Sequence, residues 1–317
     1  MRDVAFSCDD NGAKFLRVTV WSLLKHYKGD EPLRINVFEG FGGHSAESKS
    51  ELEALVGEWN NFFSVRYINV EKAIEPYVDL IMNREGSRWN VFTWAPIFTP
   101  LLLSDVTGNV AHFDIDMLFN DDVSKILDLD LGDNLIAAVA EYHRCDGKVE
   151  RAIWGNGILP PEVERYFNTG TIVFNVAKCR EERTWEKILG WYRAHYDIAD
   201  RIEQDAWNAL YWGRTMLLPL RWNFHDRLVS KYPKWDVQAK YWLGNPPREC
   251  LEAALNPAIL HFWGPKKPWK TCHRPYRKLY HVAMRAVGQT PPREPLLAPY
   301  YNLVNALNIR KIRNRVA

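Results

Sequence analysis

Residues 109–119 read NVAHFDIDMLF. An apolar run, NVAHF, has the character of a buried strand. Two carboxylates, Asp114 and Asp116, stand one residue apart where that strand should end. In extended backbone, residues i and i+2 point the same way. The two acids therefore aim together, while Ile115 aims at the core. Carboxylates held this way repel one another unless a cation joins them. A hard divalent ion, Mn²⁺ or Mg²⁺, takes oxygen ligands and keeps positions open for phosphate. The same pattern suits a phosphoryl-transfer nucleophile or a merely acidic turn, and the rest of the chain has to decide.

Upstream, the pattern alternates. Residues 4–8 form a short apolar strand and 13–27 a helix with a broad apolar face. Residues 33–39 alternate like a strand. Ser45 caps a helix whose stripe is Leu52, Leu55 and Val56, and 64–70 read as a third strand. Strand–helix alternation predicts a parallel sheet with helices on both faces. A helix over 93–103 leads into NVAHF as a fourth strand. Open α/β sheets bind ligands beyond the carboxyl ends of their strands, which is where the two acids fall. Downstream, strands are expected at 135–141, 167–176 and 258–263, and helices at 180–196, 203–212 and 274–287. Residues 143–162 and 229–250 read as long excursions of the kind that often serve function. There is no internal repeat.

Composition bounds the rest. The chain has 317 residues, 47% hydrophobic and 25% charged, enough for one large domain or two ordinary ones. A net charge of +2 gives no reason to expect a nucleic-acid partner. The five cysteines (8, 145, 179, 250 and 272) include no C-x-x-C pair, which argues against a disulfide framework or zinc ribbon and suits a reducing cytoplasm. The N-terminus lacks the pattern of a signal peptide, and no run of about 18 apolar residues predicts a membrane span. The tail carries Tyr300, Leu303, Val304 and Leu307 at helical spacing, then Arg310, Lys311, Arg313 and Arg315. An apolar stripe with a basic end fits a helix lying on an anionic membrane through residues 300–315. A packed helix with a solvated charge run fits equally well.

Three further blocks stand out. In ILHFWGPKKPW (259–269), a strand ends at His261, Gly264 removes a side chain, and Lys267 supplies a cation. In YFNTGTIVFNV (166–176), Asn168 and Gly170 interrupt a buried strand. In EQDAWNAL (203–210), the acids Glu203 and Asp205 complement a helix N-terminus, but Gln204 does not. An aspartate pair also ends a strand in haloacid dehalogenase-type phosphatases. There it ends the first strand of the core and not, as here, a fourth one.

Taken in order, FSCDDNG, HFDIDMLF, DLGDN, FNTGTIVFNV, EQDAWN and HFWGPKKPW resemble glycosyltransferase family 8 over about residues 3–275. The likeness is to the retaining, bacterial lipopolysaccharide galactosyl- and glucosyltransferase branch. The resemblance implies an α/β, GT-A-type nucleotide-sugar fold: a mostly parallel central sheet flanked by helices, with a C-terminal helical tail. It implies a catalytic domain over 1–273 and C-terminal helices over 274–317. Asp114, Asp116 and His261 would hold Mn²⁺, with Mg²⁺ as the alternative, on a donor diphosphate contacted by Gly264 and Lys267. Ser7, Asp9 and Asn11 would line the uridine pocket. Asn168, Glu203 and Gln204 would surround the donor sugar, with Gln204 near the reacting face of the anomeric carbon.

The implied reaction moves galactose or glucose from a UDP-sugar to a saccharide acceptor, lipopolysaccharide or another lipid-linked glycan. Since Gln204 is a poor nucleophile, a front-face route through an oxocarbenium-like state is expected. The implied location is cytoplasmic, peripheral on the inner face of the membrane. Three positions depart from the family pattern. Glu203 and Glu141 stand where relatives carry Asp, and Pro96 stands where a basic residue near the donor is expected, a role left to Arg84 or Arg88. These departures leave the donor sugar open. The missing basic residue at Pro96 also motivates an alternative, a catalytically weakened nucleotide-sugar-binding protein of the same fold.

Overall fold

The structure, a computed structural model, describes residues 1–40, 42–59, 62–82, 91–141, 165–199, 201–231, 247–270 and 274–316, together with 157, 159, 160 and 163. Arg84 and Arg88, nearly all of the excursion at 143–162, and 232–246 of the second excursion lie outside these residues.

The opening alternation is present. β1 (Arg2–Ser7), β2 (Leu33–Glu39) and β3 (Phe63–Asn69) lie side by side in parallel, joined by α1 (Asp10–His26) and α2 (Ala46–Gly57). α1 starts three residues earlier than its apolar stripe, because Asp9 caps it by accepting from the Gly12 N–H at 2.9 Å. β4 (Asn109–Phe113) joins the other flank of β1, also parallel. β5 (Met117–Phe119) leaves that sheet and enters a second, smaller one. β6 (Ile136–Ala140), β7 (Phe167–Asn175) and β8 (Thr215–Leu218) complete the large sheet in the order β3-β2-β1-β4-β7-β6-β8, in which only β7 runs against its neighbours. β9 (Phe224–His225) and β10 (Ile259–His261) complete the small sheet, in the order β5-β10-β9. This is the mostly parallel, helix-flanked sheet the sequence predicts.

Both faces of the large sheet are buried. In β1, Val4 and Phe6 pack into the layer with α1 and α2, while Ala5 packs into the opposite layer. β6 divides the same way: Ala137 and Val139 face one layer, Ile136 and Ala138 the other. That period of two, on strands apolar at every position, is the signature of a sheet covered on both sides.

Two predicted helices are broken. The stretch 93–103 becomes three short turns, Val91–Trp94, Ala95–Phe98 and Thr99–Leu102. Pro96 and Pro100 each start a new turn, since proline removes the N–H that would continue the previous one. The stretch 180–196 divides at Arg183, whose φ of 52° is left-handed, into Val176–Glu181 and α3 (Thr184–Ala194). α4 (Ile202–Tyr211), α5 (Pro247–Leu255), α6 (Arg277–Ala286) and α7 (Ala298–Val316) follow. α6 packs on α1, and α7 packs on α5. Among the described residues, no helix is long and apolar enough to cross a membrane.

Candidate active site

The site forms where the chain crosses from one sheet to the other. β4 ends at Phe113 and β5 begins at Met117, so Asp114, Ile115 and Asp116 bridge the two sheets. Both ends of this bridge are pinned by backbone. The Asp114 N–H donates to the Gly170 carbonyl at 3.0 Å, and the Phe262 N–H donates to the Asp116 carbonyl at 3.0 Å. Pairing of His261 with Met117 in the small sheet brings a histidine 145 positions downstream beside the acids. One ligand atom from each of Asp114, Asp116 and His261 lies within 4.8 Å of the others. His261 Nε2 is 3.4 Å from Asp114 Oδ2 and 3.3 Å from Asp116 Oδ1. The imidazole is buried, Asp116 is largely buried, and Asp114 is half exposed.

The orientation of His261 follows from one backbone N–H. Gly170 N–H donates to Asn168 Oδ1 at 2.8 Å, which fixes that amide's oxygen. The same oxygen accepts from Asn223 Nδ2 at 2.8 Å, so Asn223 must turn its own oxygen the other way. That oxygen meets His261 Nδ1 at 2.8 Å. Nδ1 therefore carries the proton, and Nε2 is directed at the carboxylates. Histidine ligands to metals are commonly oriented by such a partner on the second nitrogen.

Within the cluster, His261 and Lys267 balance the two carboxylates. Burial pulls the His261 pKa down, but the Asp116 charge and hydrogen bonds to both carboxylates outweigh it and push it up to about 9. Burial alone would raise Asp116, yet Lys267 and His261 hold it well below the usual carboxylate range. The Lys267 ammonium forms an ion pair with Asp116 and donates to the Phe262 carbonyl at 3.1 Å. Two carboxylates and an imidazole within reach of one point form a donor set suited to a divalent ion.

Two cavities meet at Asp114 and Thr93. The first, about 600 Å³, is lined by Glu141, Asn168, Arg201, Glu203, Gln204 and Trp263 among others. The second, about 870 Å³, is lined by Ser7, Asp9, Asp116, Lys267 and Trp269 among others. Most expected site residues thus gather at one place beyond the carboxyl ends of β1 and β4. Asn11 and Gly264 are not among the residues lining either cavity. Asn11 donates to Asp9 Oδ2 at 3.3 Å. Gly264 has a φ of 85°, so its backbone conformation explains the glycine better than a crowded approach does. Ser7 donates to the Phe92 carbonyl at 3.0 Å while lining its cavity.

At the start of α4, structural and chemical acids separate. Asp205 does the capping: it accepts from the Arg201 N–H at 2.9 Å and from Tyr166 OH at 2.7 Å. Glu203 instead turns into the cavity and accepts from Thr169 Oγ at 2.9 Å. Burial pushes its carboxyl up to about 8, opposed by the Thr169 hydrogen bond and reinforced by the Asp114 charge. Gln204 accepts from Asn168 Nδ2 at 3.0 Å and donates to Glu141 at 3.1 Å and to Tyr166 OH at 3.0 Å. Ile202 adopts a φ of 43°, a strained conformation for a β-branched residue, of a kind that clusters at functional sites.

Sequence reasoning did not find Arg201 or Asn223. Arg201 lines the same cavity as Pro96 and forms an ion pair with the buried Glu141. It brings a cation to the side of the cavity where Pro96 offers none. Its only signal was a basic residue two positions before Glu203. Asn223 sits in an unremarked LRWNFHD segment.

The two-sheet architecture with acids at the switch defines a GT-A-like α/β fold. It matches that of the galactosyltransferase LgtC, solved with donor and acceptor sugar analogues, at a TM-score of 0.70 and 22% identity, covering 94% of this chain and 99% of that one. The model of glycosyl transferase family 8 matches residues 3–272, and the chain belongs to that family. Among curated relatives, General stress protein A of Bacillus subtilis (strain 168) is 28% identical, over 86% of this chain and 90% of its own. The lipopolysaccharide 1,2-glucosyltransferase of Escherichia coli (strain K12) is 25% identical, over 62% of this chain and 54% of its own.

Proposed function

We propose that this glycosyltransferase is a metal-dependent, retaining hexosyltransferase that moves galactose or glucose from a UDP-sugar to a saccharide acceptor, lipopolysaccharide or another lipid-linked glycan. The observation that carries this reading is the convergence of Asp114, Asp116 and His261 within 4.8 Å, at the junction of the two cavities. The kinship with a named galactosyltransferase fold and a named lipopolysaccharide glucosyltransferase supports the donor and acceptor classes.

In this reading the second cavity receives the nucleotide, with Ser7 and Asp9 on its wall. Asp114, Asp116 and His261 would hold Mn²⁺ or Mg²⁺, which would supply positive charge to stabilise the diphosphate as leaving group. Lys267, already beside Asp116, adds a second fixed cation to the same region, a preorganised form of electrostatic stabilisation. The first cavity receives the hexose. Asn168, Gln204 and Glu141 are held by one another's hydrogen bonds and need little reorganisation when a sugar enters. Glu203, neutral below about pH 8, presents a carboxyl able to donate as well as accept. Gln204 is too weak a nucleophile for a covalent intermediate. The acceptor therefore attacks the face that the diphosphate leaves, and a donor phosphate oxygen takes its proton. The exposed basic tail would hold the enzyme at an anionic membrane surface.

The test is UDP release from UDP-galactose and UDP-glucose with Mn²⁺ or Mg²⁺, with proton NMR of the product's anomeric configuration. Release that persists in full in chelator, or in the Asp114→Ala/Asp116→Ala/His261→Ala variant, would overturn the metal reading. An inverted product would overturn retention.

A further inference from the structure

The charge of this chain is unevenly distributed. Residues 266–317 contain twelve Lys and Arg and a single acid, Glu294, a net of +11. Residues 1–265 contain 29 basic and 38 acidic residues, a net of −9. Within the basic part lies a cavity of about 440 Å³, separate from the two described above. It is lined by Lys270, Arg277, His281, Arg293 and Glu294, with Pro292 and Pro295.

Its central group is buried and poorly satisfied. The Arg277 side chain is only 2% exposed, and neither Nη1 nor Nη2 makes a hydrogen bond among the described residues. Nη2 is 2.9 Å from Glu294 Oε1, an ion pair by distance without hydrogen-bonding alignment, and Glu294 is itself half exposed. Buried guanidinium nitrogens without acceptors are costly, and a planar donor fork is matched by carboxylate or phosphate oxygens. Arg277 and Lys278 also open α6, whose first turn holds no acid. Cations there oppose the helix dipole, and an anion at the same place reverses the sign of that interaction. Among the described lining residues, Arg277, Lys270 and Arg293 stand against Glu294, a net excess of two positive charges.

We infer that this cavity is a binding site for a phosphate monoester. The site is distinct from the donor site, but joined to it through one short segment. Lys267 and Trp269 of that segment face the nucleotide cavity, Lys270 faces this one, and His281 anchors it at the Pro268 carbonyl (3.0 Å). A phosphate on the acceptor, bound here, would fix the acceptor's approach. This last step rests on the proposed transferase reaction; the phosphate site does not.

The experiment is calorimetric titration of inorganic phosphate into the full chain at low ionic strength, with chelator present. Wild type binds. Lys270→Glu and Arg293→Glu, both exposed and remote from the core, each weaken binding by about tenfold or more. Arg277→Gln weakens it as far, provided its melting curve is intact. Lys267→Ala, in the donor site, leaves phosphate affinity within about twofold. Loss of binding in Lys267→Ala with retention in the other variants would overturn the inference, as would absence of binding by wild type at about 10 mM phosphate. Two further probes identify the source. Glucose 6-phosphate binding that the rim variants abolish, with no binding of glucose, supports a phosphorylated saccharide. Binding of phosphatidic acid in phosphatidylcholine vesicles that the same variants abolish supports a lipid headgroup. If neither probe shows a rim-dependent interaction, the monoester assignment is wrong.

Discussion

Gly170 lies so close to His261 that a Cβ built on it would stand 2.6 Å from His261 Cε1, and 2.7 Å from Asp114 Oδ2. The imidazole has no room to retreat, and the half-exposed Asp114 carboxylate can do so only by turning away from the proposed ligand position. The imidazole is buried and hydrogen-bonded through Nδ1, and the Asp114 backbone is pinned to the Gly170 carbonyl. Gly170→Ala should therefore separate the proposed metal ligands while leaving the sheet paired. The expected stability cost is that of local overpacking, about 1–3 kcal/mol. Metal-dependent UDP release should fall by about 100-fold, since misplacement of catalytic groups by about an ångström has that effect. Turnover at the wild-type rate would show that the close approach has no catalytic meaning.

Asn223 offers a second test, because it touches the histidine without being a ligand. Asn223→Leu removes the oxygen that holds the Nδ1 proton, so His261 loses its fixed tautomer and ring orientation. Loss of such outer partners typically lowers metal affinity by about 10–100-fold. Mn²⁺ titration followed by calorimetry would measure it. A role in packing alone would shift the melting temperature and leave Mn²⁺ affinity unchanged.

These two residues also mark where sequence reading stopped. The strand–helix alternation of the first seventy residues was legible because parallel strands buried on both faces need apolar residues throughout. Asp114, Asp116 and His261 were legible because their residue types and strand-end positions have a chemical reason. Asn223 was not: its task depends on an amide orientation relayed from Gly170 through Asn168, a contact made across 38 positions to His261. Arg201 was hidden for a similar reason. Its ion-pair partner Glu141 is 60 positions away, and the left-handed Ile202 beside it has no signature in residue type. The broken helix at 93–103 is a different kind of miss, since Pro96 and Pro100 were visible and their interruption of the hydrogen-bond ladder was predictable.

Glu203 should make stability depend on pH in an unusual direction. Its folded pKa of about 8 lies above the ordinary carboxylate value of 4.5. The folded state thus keeps a proton that the unfolded chain releases. Its stabilising effect is complete below pH 4.5 and is lost progressively as pH rises toward 8. Glu203→Gln has no proton to lose. Between pH 5 and 8 the wild type should lose stability relative to this variant, by on the order of 3–4 kcal/mol. Urea unfolding of both proteins across that range would measure the difference. Parallel curves would show that Glu203 is ionised in the folded state.

The Arg201–Glu141 pair predicts an asymmetry. Glu141 is fully buried, and Arg201 is largely so. Removing one partner leaves an uncompensated charge inside the protein, whereas replacing both leaves none. Arg201→Met alone should cost about 3–5 kcal/mol, and Arg201→Met with Glu141→Leu distinctly less. The double variant should nevertheless lose donor turnover, because both side chains line the first cavity. Chemical denaturation and UDP release measured on the same samples separate the two effects. Equal destabilisation by the single and double variants would mean that the pair carries no buried-charge penalty.

The tail helix α7 turns two asparagines inward beside Ile312 while its leucines face outward. Asn305 and Asn308 are buried, and Asn308 Nδ2 donates to the Val229 carbonyl at 2.8 Å. Tyr300, Leu303 and Leu307 point outward, at 61%, 60% and 44% exposure. A helix packed only for its own sake would bury the leucines. An outward apolar stripe beside Arg310, Lys311, Arg313 and Arg315 fits an anionic bilayer, where each basic residue adds about 1 kcal/mol near the surface. Deleting the whole helix is a poor test, because Ile312 is fully buried in the main core and its loss would unfold part of the enzyme. Leu303→Asp/Leu307→Asp avoids that problem, because both positions are exposed. This variant should sediment far less with vesicles containing phosphatidylserine, while its melting temperature and its UDP release from free donor stay at wild-type values. Wild-type binding should weaken as salt rises, as electrostatic attachment does. Unchanged sedimentation of the variant would assign the outward leucines some other partner.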